Sequence, residues 1–295
     1  MKNEIEISPY GNLLVYKKGY TLEFVRATIQ KRKLNGLRIF SVLSDQKLSD
    51  LNFLSEYTFL ESLSITSGDD HDLSFLSELK RLKELSISSE GKNTIDLSNQ
   101  LNLEDLAIQW RPGKILGLEK CQNLKTLCLI DFKETDFSAI SRLTRLEKLV
   151  VKTASVKAIT GIQNFSSLKS LSLGNCHALK SIADITGLKR LKLLEIELCA
   201  HIEDYTFISS LINLATLRLT DCKGISSIKF IESLPALNRL SLLGNTDVLD
   251  GDMTPAINVK EVFTKQRKHY NVKIENKKQE ALVKSNLEKI KSWFK

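Results

Sequence analysis

One pattern fixes most of what this chain can fold into. The segment LKSLSLGNC begins at Leu168, and matching segments begin at Leu191, Leu214 and Leu237, each 23 residues after the last. Further copies of L-x-x-L-x-L begin at Leu146, Leu124, Leu103, Leu82 and Leu60, in steps of 21 or 22 residues. A weaker copy, LNGLRI, begins at Leu34, and a degenerate one, VKEVFT, begins at Val259 with polar Thr264 where an aliphatic belongs. Alternating apolar positions mark a strand with one buried face. A unit of roughly 20 residues cannot bury that face alone, so the units must stack into a solenoid. At 295 residues a single compact core would be near its limit, whereas a solenoid grows by adding units. The chain therefore reads as one repeat domain closed by two caps.

The remainder of each unit supports this. After the strand, Ile185, Leu188 and Leu191 recur every third residue, as do Ile208, Leu211 and Leu214, and Ile231, Leu234 and Leu237. That spacing suits one or two turns of 3₁₀ or short α-helix on the far side of the coil. The template L-x-x-L-x-L-x-x-(C/N) with this I/L-x-x-L-x-x-L ending resembles the leucine-rich repeat. Its short period is similar to that of internalins and of the nuclear protein-phosphatase-1 regulator. The resemblance implies an α/β solenoid with about ten parallel strands on a concave face and short 3₁₀ or helical turns on the convex side. The expected organisation is an N-terminal cap over residues 1–33, repeats over 34–258, and a degenerate last repeat with a helical cap over 259–295.

The caps are legible separately. Residues 4–16 alternate apolar and polar and carry Pro9 and Gly11, which predicts a hairpin turning between Ser8 and Asn12. Thr21 is a good N-cap for a helix in which Leu22, Val25 and Ile29 recur at helical spacing and which ends on Lys31, Arg32 and Lys33, where cations suit the helix dipole. At the other end, Leu282, Leu287, Ile290 and Phe294 fall at helical spacing within residues 276–294, predicting an amphipathic cap with a lysine-rich outer face.

Several function classes are excluded or weakened. Cys176, Cys199 and Cys222 share one column of the template, and Asn245 is expected to take it next. The resemblance places that column inside the turn after the strand. Cys121 falls on a core column and Cys128 on an outward strand position. No C-x-x-C or Cys/His spacing suggests zinc or redox chemistry, so buried reduced thiols are expected for four of the five. The run Asp69, Asp70, His71, Asp72 lacks the spacing of a calcium loop and reads as a surface turn. The four histidines lie in separate segments without a matched nucleophile, and no glycine-rich phosphate loop is present. The expectation is a non-enzyme without cofactor or metal.

The net charge of +8 is unevenly placed: residues 1–38 carry +5, residues 260–295 carry +7, and the repeats between are slightly acidic. A chain gripping nucleic acid along its sheet would show the reverse, so nucleic-acid or anionic-surface binding is left to the basic ends. The start, MKNEIEIS, has no apolar core and no later run approaches a membrane span, which predicts a cytoplasmic monomer.

On each strand the third, fifth and seventh template positions should face outward. Two clusters emerge there. One is Gln109, Trp110, Arg111, Ile130, Phe132, Val150 and Lys152, rich in the residue types that concentrate interface energy. The other is Glu195, Glu197, Arg218 and Arg239, beside Leu193, in which Glu195 and Arg218 also suit a cross-strand ion pair. The chain is thus expected to bind a protein partner on its concave face. Its size and the absence of catalytic groups and an export signal resemble bacterial immunity proteins, which implies an inhibitor that works by occupying a partner's surface.

Overall fold

The computed structural model describes residues 5–16, 20–41, 50–89 and 91–274. Thirteen strands form one sheet, adjacent in space in the order they follow in sequence. They are β1 (Ile5–Ser8), β2 (Gly11–Tyr16), β3 (Gly36–Phe40), β4 (Ser62–Ser67), β5 (Glu84–Ser89), β6 (Asp105–Gln109) and β7 (Thr126–Ile130). There follow β8 (Lys148–Lys152), β9 (Ser170–Gly174), β10 (Leu193–Glu197), β11 (Thr216–Thr220), β12 (Arg239–Leu243) and β13 (Glu261–Thr264). The hairpin strand β1 runs antiparallel to β2, and from β2 onward the pairing is parallel. The ladder is longer than the ten strands read from the leucines: the hairpin's second strand and the degenerate VKEVFT both join it.

The register is that of the template. Leu149 stands between Leu127 and Leu171, and Val151 between Leu129 and Leu173. Because strand side chains alternate, these columns point into the coil, where all six are essentially inaccessible to water. Burying such a side chain stabilises by about 1.5–3 kcal/mol. The returning segments are short 3₁₀ helices, such as Ser74–Glu78, Ala183–Gly187 and Lys229–Ser233. Many are launched by a carboxylate two residues back. Asp72 accepts from Ser74 N at 2.9 Å, Asp136 from Ser138 N at 2.9 Å and Asp204 from Thr206 N at 2.7 Å. Such bonds satisfy an amide that the short helix leaves without a partner.

The turn after each strand has a fixed chemistry. Asp131, Thr153, Asn175, Leu198 and Asp221 take left-handed backbone with φ between 52° and 56°. The next residue then points inward: Phe132, Ala154, Cys176, Cys199 and Cys222 are all buried. The thiols face carbonyls of the preceding coil, with Cys222 Sγ 3.3 Å from Ile196 O and Cys199 Sγ 3.6 Å from Leu173 O. Asn245 does not continue this column. It is exposed, and Thr246 occupies the inner place instead, 1% accessible. Gly244 takes the left-handed position at φ 64° and leaves one extra residue in the turn. Thr246 Oγ1 donates to Leu219 O and accepts from Cys222 N, at 3.2 and 3.1 Å. A hydroxyl does both jobs, whereas a thiol does each weakly.

Helix α1 (Leu22–Arg32) closes the N-terminal end. Thr21 accepts from Phe24 N, Lys33 ends the helix in left-handed backbone, and Val25 and Ile29 are buried. At the other end, residues after β13 fold back as a polar clasp. Tyr270 Oη donates to Asp247 and accepts from Val248 N, while Arg267 donates to Thr246 O. The amphipathic segment 276–294 lies outside the described residues. Along one rim, the second template position alternates in charge over six successive coils and pairs across strands, Glu61 with Lys83 at 2.9 Å, Glu104 with Lys125 at 2.5 Å and Glu147 with Lys169 at 2.7 Å, before Lys192 ends the alternation. No helix of the described residues is long and apolar enough to cross a membrane.

Candidate functional site

The outward face of the sheet is a floor of small side chains set with charges. Its N-terminal part is hydroxyl-rich: Ser62, Ser64 and Thr66 stand in register with Glu84, Ser86 and Ser88. Centrally, Ala107, Cys128 and Val150 line up across β6, β7 and β8 with Ile130 beside them. Farther along, Glu195 pairs with Arg218 at 3.5 Å, and Arg239 Nε donates to Glu261 at 2.6 Å. These pairs neutralise most of the second sequence cluster. Arg239 belongs with β13 rather than with Glu195 and Glu197, because the register sets it opposite Glu261. Glu197 is exposed, and burial of its neighbourhood together with Glu195 and Asp221 raises its pKa, against the pull of Lys152.

The first cluster divides. Gln109, Ile130 and Lys152 are register partners of adjacent strands and partly exposed. Val150 lies between them on the floor, 9% accessible. Trp110 is half-buried: its ring meets Phe132 edge-on at 4.7 Å and its indole N–H donates to Glu134 at 2.9 Å. Phe132 and Arg111 are corrections to the sequence reading, since both are buried and offer nothing to a partner. They occupy the inward turn column, the one Cys176 takes in later repeats. Arg111 reaches back from there to donate to Asn93 O, Ser89 O and Ser89 Oγ at 2.6, 3.1 and 2.8 Å, and Asp70 stands 4.0 Å away. Desolvation lowers its pKa. The acidic turn serves the same interior: Asp70 accepts from the amides of Lys92 and Asn93, and buried His71 contacts Ser67 Oγ at 2.7 Å.

Two residues not singled out from the sequence belong to the floor. Glu84 and Asp105 are direct register partners on β5 and β6. Glu84 accepts from Ser62 Oγ at 2.6 Å, and Asp105 from the Thr126 hydroxyl. Burial, and then Glu84, push the Asp105 carboxyl up from 3.8 to about 6. Tyr10, in the hairpin turn, is pushed to about 12 by burial and then by Asp105, Glu104 and Glu84. The signal was present in the template: two like charges follow one another in the third column, where a neutral residue or a counter-charge would be easier to hold. The thiol of Cys128 points to the same face but is 3% accessible, and burial raises its pKa. Among the described residues no group of three or more His, Cys, Asp or Glu is placed to hold a metal ion.

No family model matches the chain, and no curated protein matches it. Solved structures do. An internalin, InlF, from Listeria monocytogenes is 19% identical with a TM-score of 0.63, and the match covers 87% of each chain. TLR13, in a complex with ssRNA13, is 20% identical with a TM-score of 0.56; the match covers 84% of this chain and 42% of that one. The leucine columns, the parallel ladder, the 3₁₀ returns and these two likenesses agree: the fold of this chain is that of the leucine-rich-repeat proteins.

Proposed function

We propose that the chain is a non-catalytic binding module that holds a protein partner on the open face of its sheet and acts by occupying that partner's surface, as an inhibitor or immunity protein does. The observation that carries this reading is the composition of the face. An uninterrupted parallel ladder presents side chains from every strand, small enough in the centre to admit another molecule, with apolar Ile130 and charged Lys152 and Glu197 standing out of it. Sheets of this kind are binding scaffolds rather than catalytic ones, and the TLR13 relative was solved with an RNA bound. That support is by analogy of fold. The contact residues we assign are Gln109, Trp110, Ile130, Val150 and Lys152, extended by Glu195, Glu197 and Arg218. A cytoplasmic monomer is part of the same proposal.

Gly174 gives the test. A Cβ added there meets only Val151 O at 3.7 Å and Lys152 Cγ at 4.0 Å, so a large side chain can project into the open without strain in the sheet. Gly174→Trp is expected to melt within a few degrees of wild type and to lose the protein that wild type retains from native lysate. Undiminished retention by a well-folded Gly174→Trp would move the binding surface elsewhere. Steeply salt-dependent RNA or DNA binding that survives the substitution would point to the basic ends instead.

A further inference from the structure

The sheet ends in an open edge. β1 stands at its N-terminal margin, and among the described residues no strand flanks it on the other side. Its outer row of N–H and C=O groups is thus a template for a further strand. The side chains add to this. Ile5 lies opposite Leu14, on the face that fills the coil, and packs against the core. Ile7 continues that column and is 88% exposed, more than any other large apolar residue described. On the opposite face Glu6 is already bound by Arg38 at 2.6 Å. A group of cations stands near the hairpin turn. Asn35, two residues beyond Lys33, donates to Tyr10 O at 2.8 Å and accepts from Asn12 N at 3.2 Å, which ties the end of α1 to that turn. Lys31, Arg32 and Lys33 are exposed there and form no ion pair with another described residue.

We infer that β1 takes up a short extended segment of a protein partner as a further strand, with apolar side chains beside Ile5 and Ile7 and acidic ones at the end that meets Lys31, Arg32 and Lys33. The edge sets the size of the occupant. β1 has four residues and Pro9 follows it, so roughly 13 Å of backbone is on offer. Main-chain bonds supply affinity, and alternate side chains supply the choice of sequence. Apolar residues two apart on the added strand reach Ile5 and Ile7, because side chains of paired strands alternate in step. A second copy of this chain fits less well, although its β1 alternates in the same way. Residues 1–38 carry +5, and two such ends would repel, whereas an acidic segment is attracted. A nucleic acid has no peptide strand to add. Seven strands separate β1 from β9, which carries Gly174, so the inference goes beyond the reading proposed above and does not depend on it.

The experiment uses the full chain and three labelled peptides read by fluorescence anisotropy. Each has a four-residue centre with two charged residues at both ends, so that either strand direction serves. One has Val-Thr-Val-Thr between aspartates, one has the same centre between lysines, and one has four threonines between aspartates. The first is expected to bind at least fivefold tighter than either of the others at low ionic strength, with the gap over the lysine peptide closing as salt is added. It alone should slow amide hydrogen exchange within β1. Ile7→Thr should melt like wild type, because the side chain is exposed, and should lose the preference for valine over threonine. Lys31→Gln/Arg32→Gln/Lys33→Gln should bring the aspartate and lysine peptides to similar affinity. Absence of binding, equal affinities on wild type, unchanged exchange in β1, or an unchanged ranking on Ile7→Thr would each overturn the inference. So would displacement of the aspartate peptide by a single-stranded RNA, which would make the cations a nucleic-acid site. A concentration-dependent dimer that Ile7→Thr abolishes would give the edge to a second copy instead.

Discussion

At the scale of single residues, the sequence misled where one column does two jobs. Arg111 and Phe132 read as interface residues by type, but both stand in the turn column that also holds Cys176, Cys199 and Cys222, and that column faces inward. The column position outweighed the residue type. The consequence is measurable. Arg111→Met removes the donors to Ser89 and Asn93 and strands their buried acceptors, so it should cost about 3 kcal/mol or more in urea unfolding. Trp110→Ala should cost less, about 1–2 kcal/mol, since it forfeits one ring contact and one hydrogen bond at a half-buried site. Asp105 behaves differently again. Its folded carboxyl binds a proton more tightly than the unfolded chain does, so its contribution is favourable below pH 4 and is lost as pH rises through about 6. Asp105→Asn should therefore be more stable than wild type at pH 7.5 by about 1–3 kcal/mol. The two proteins should converge near pH 4; an equal difference at both pH values would show that ionisation is not the cause.

At the scale of elements, the leucine spacing marked the strands closely, because the fourth and sixth template positions are apolar in every good copy and alternate with outward ones, which leaves only one face to bury. The helix α1 was legible from its cap, since Thr21 and the lysine-arginine run act locally. What the spacing could not show was the register of the last turns. The template placed Asn245 in the inner column, yet a glycine able to take φ 64° let the chain insert one residue and present Thr246 there. Thr264 stands where the template has an aliphatic, yet the segment still forms the last strand expected of it: β13 pairs with β12 through backbone groups and buries that residue. Thr246→Val keeps the shape and removes the hydroxyl, leaving Cys222 N and Leu219 O unmet. It should destabilise by about 1–3 kcal/mol in chemical unfolding, and Thr246→Ser should restore most of that.

At the scale of the molecule, each coil touches mainly its neighbours, so stability should be nearly a sum over repeats. Deleting Leu191–Asn213, one full period of 23 residues, joins Arg190 to Leu214 and keeps the template in phase. The shortened protein is expected to fold cooperatively with a melting temperature lowered by several degrees. Loss of cooperative melting would show that the array depends on longer-range order. The charged rim bears on how such an array avoids mistakes. Glu61, Lys83, Glu104, Lys125, Glu147 and Lys169 alternate from one coil to the next. Leucines are the same in every coil and cannot tell one neighbour from another. Alternating signs give the coils a parity. Within these six coils, a chain that skips one coil while stacking brings like charges together along the rim, and only an even skip escapes.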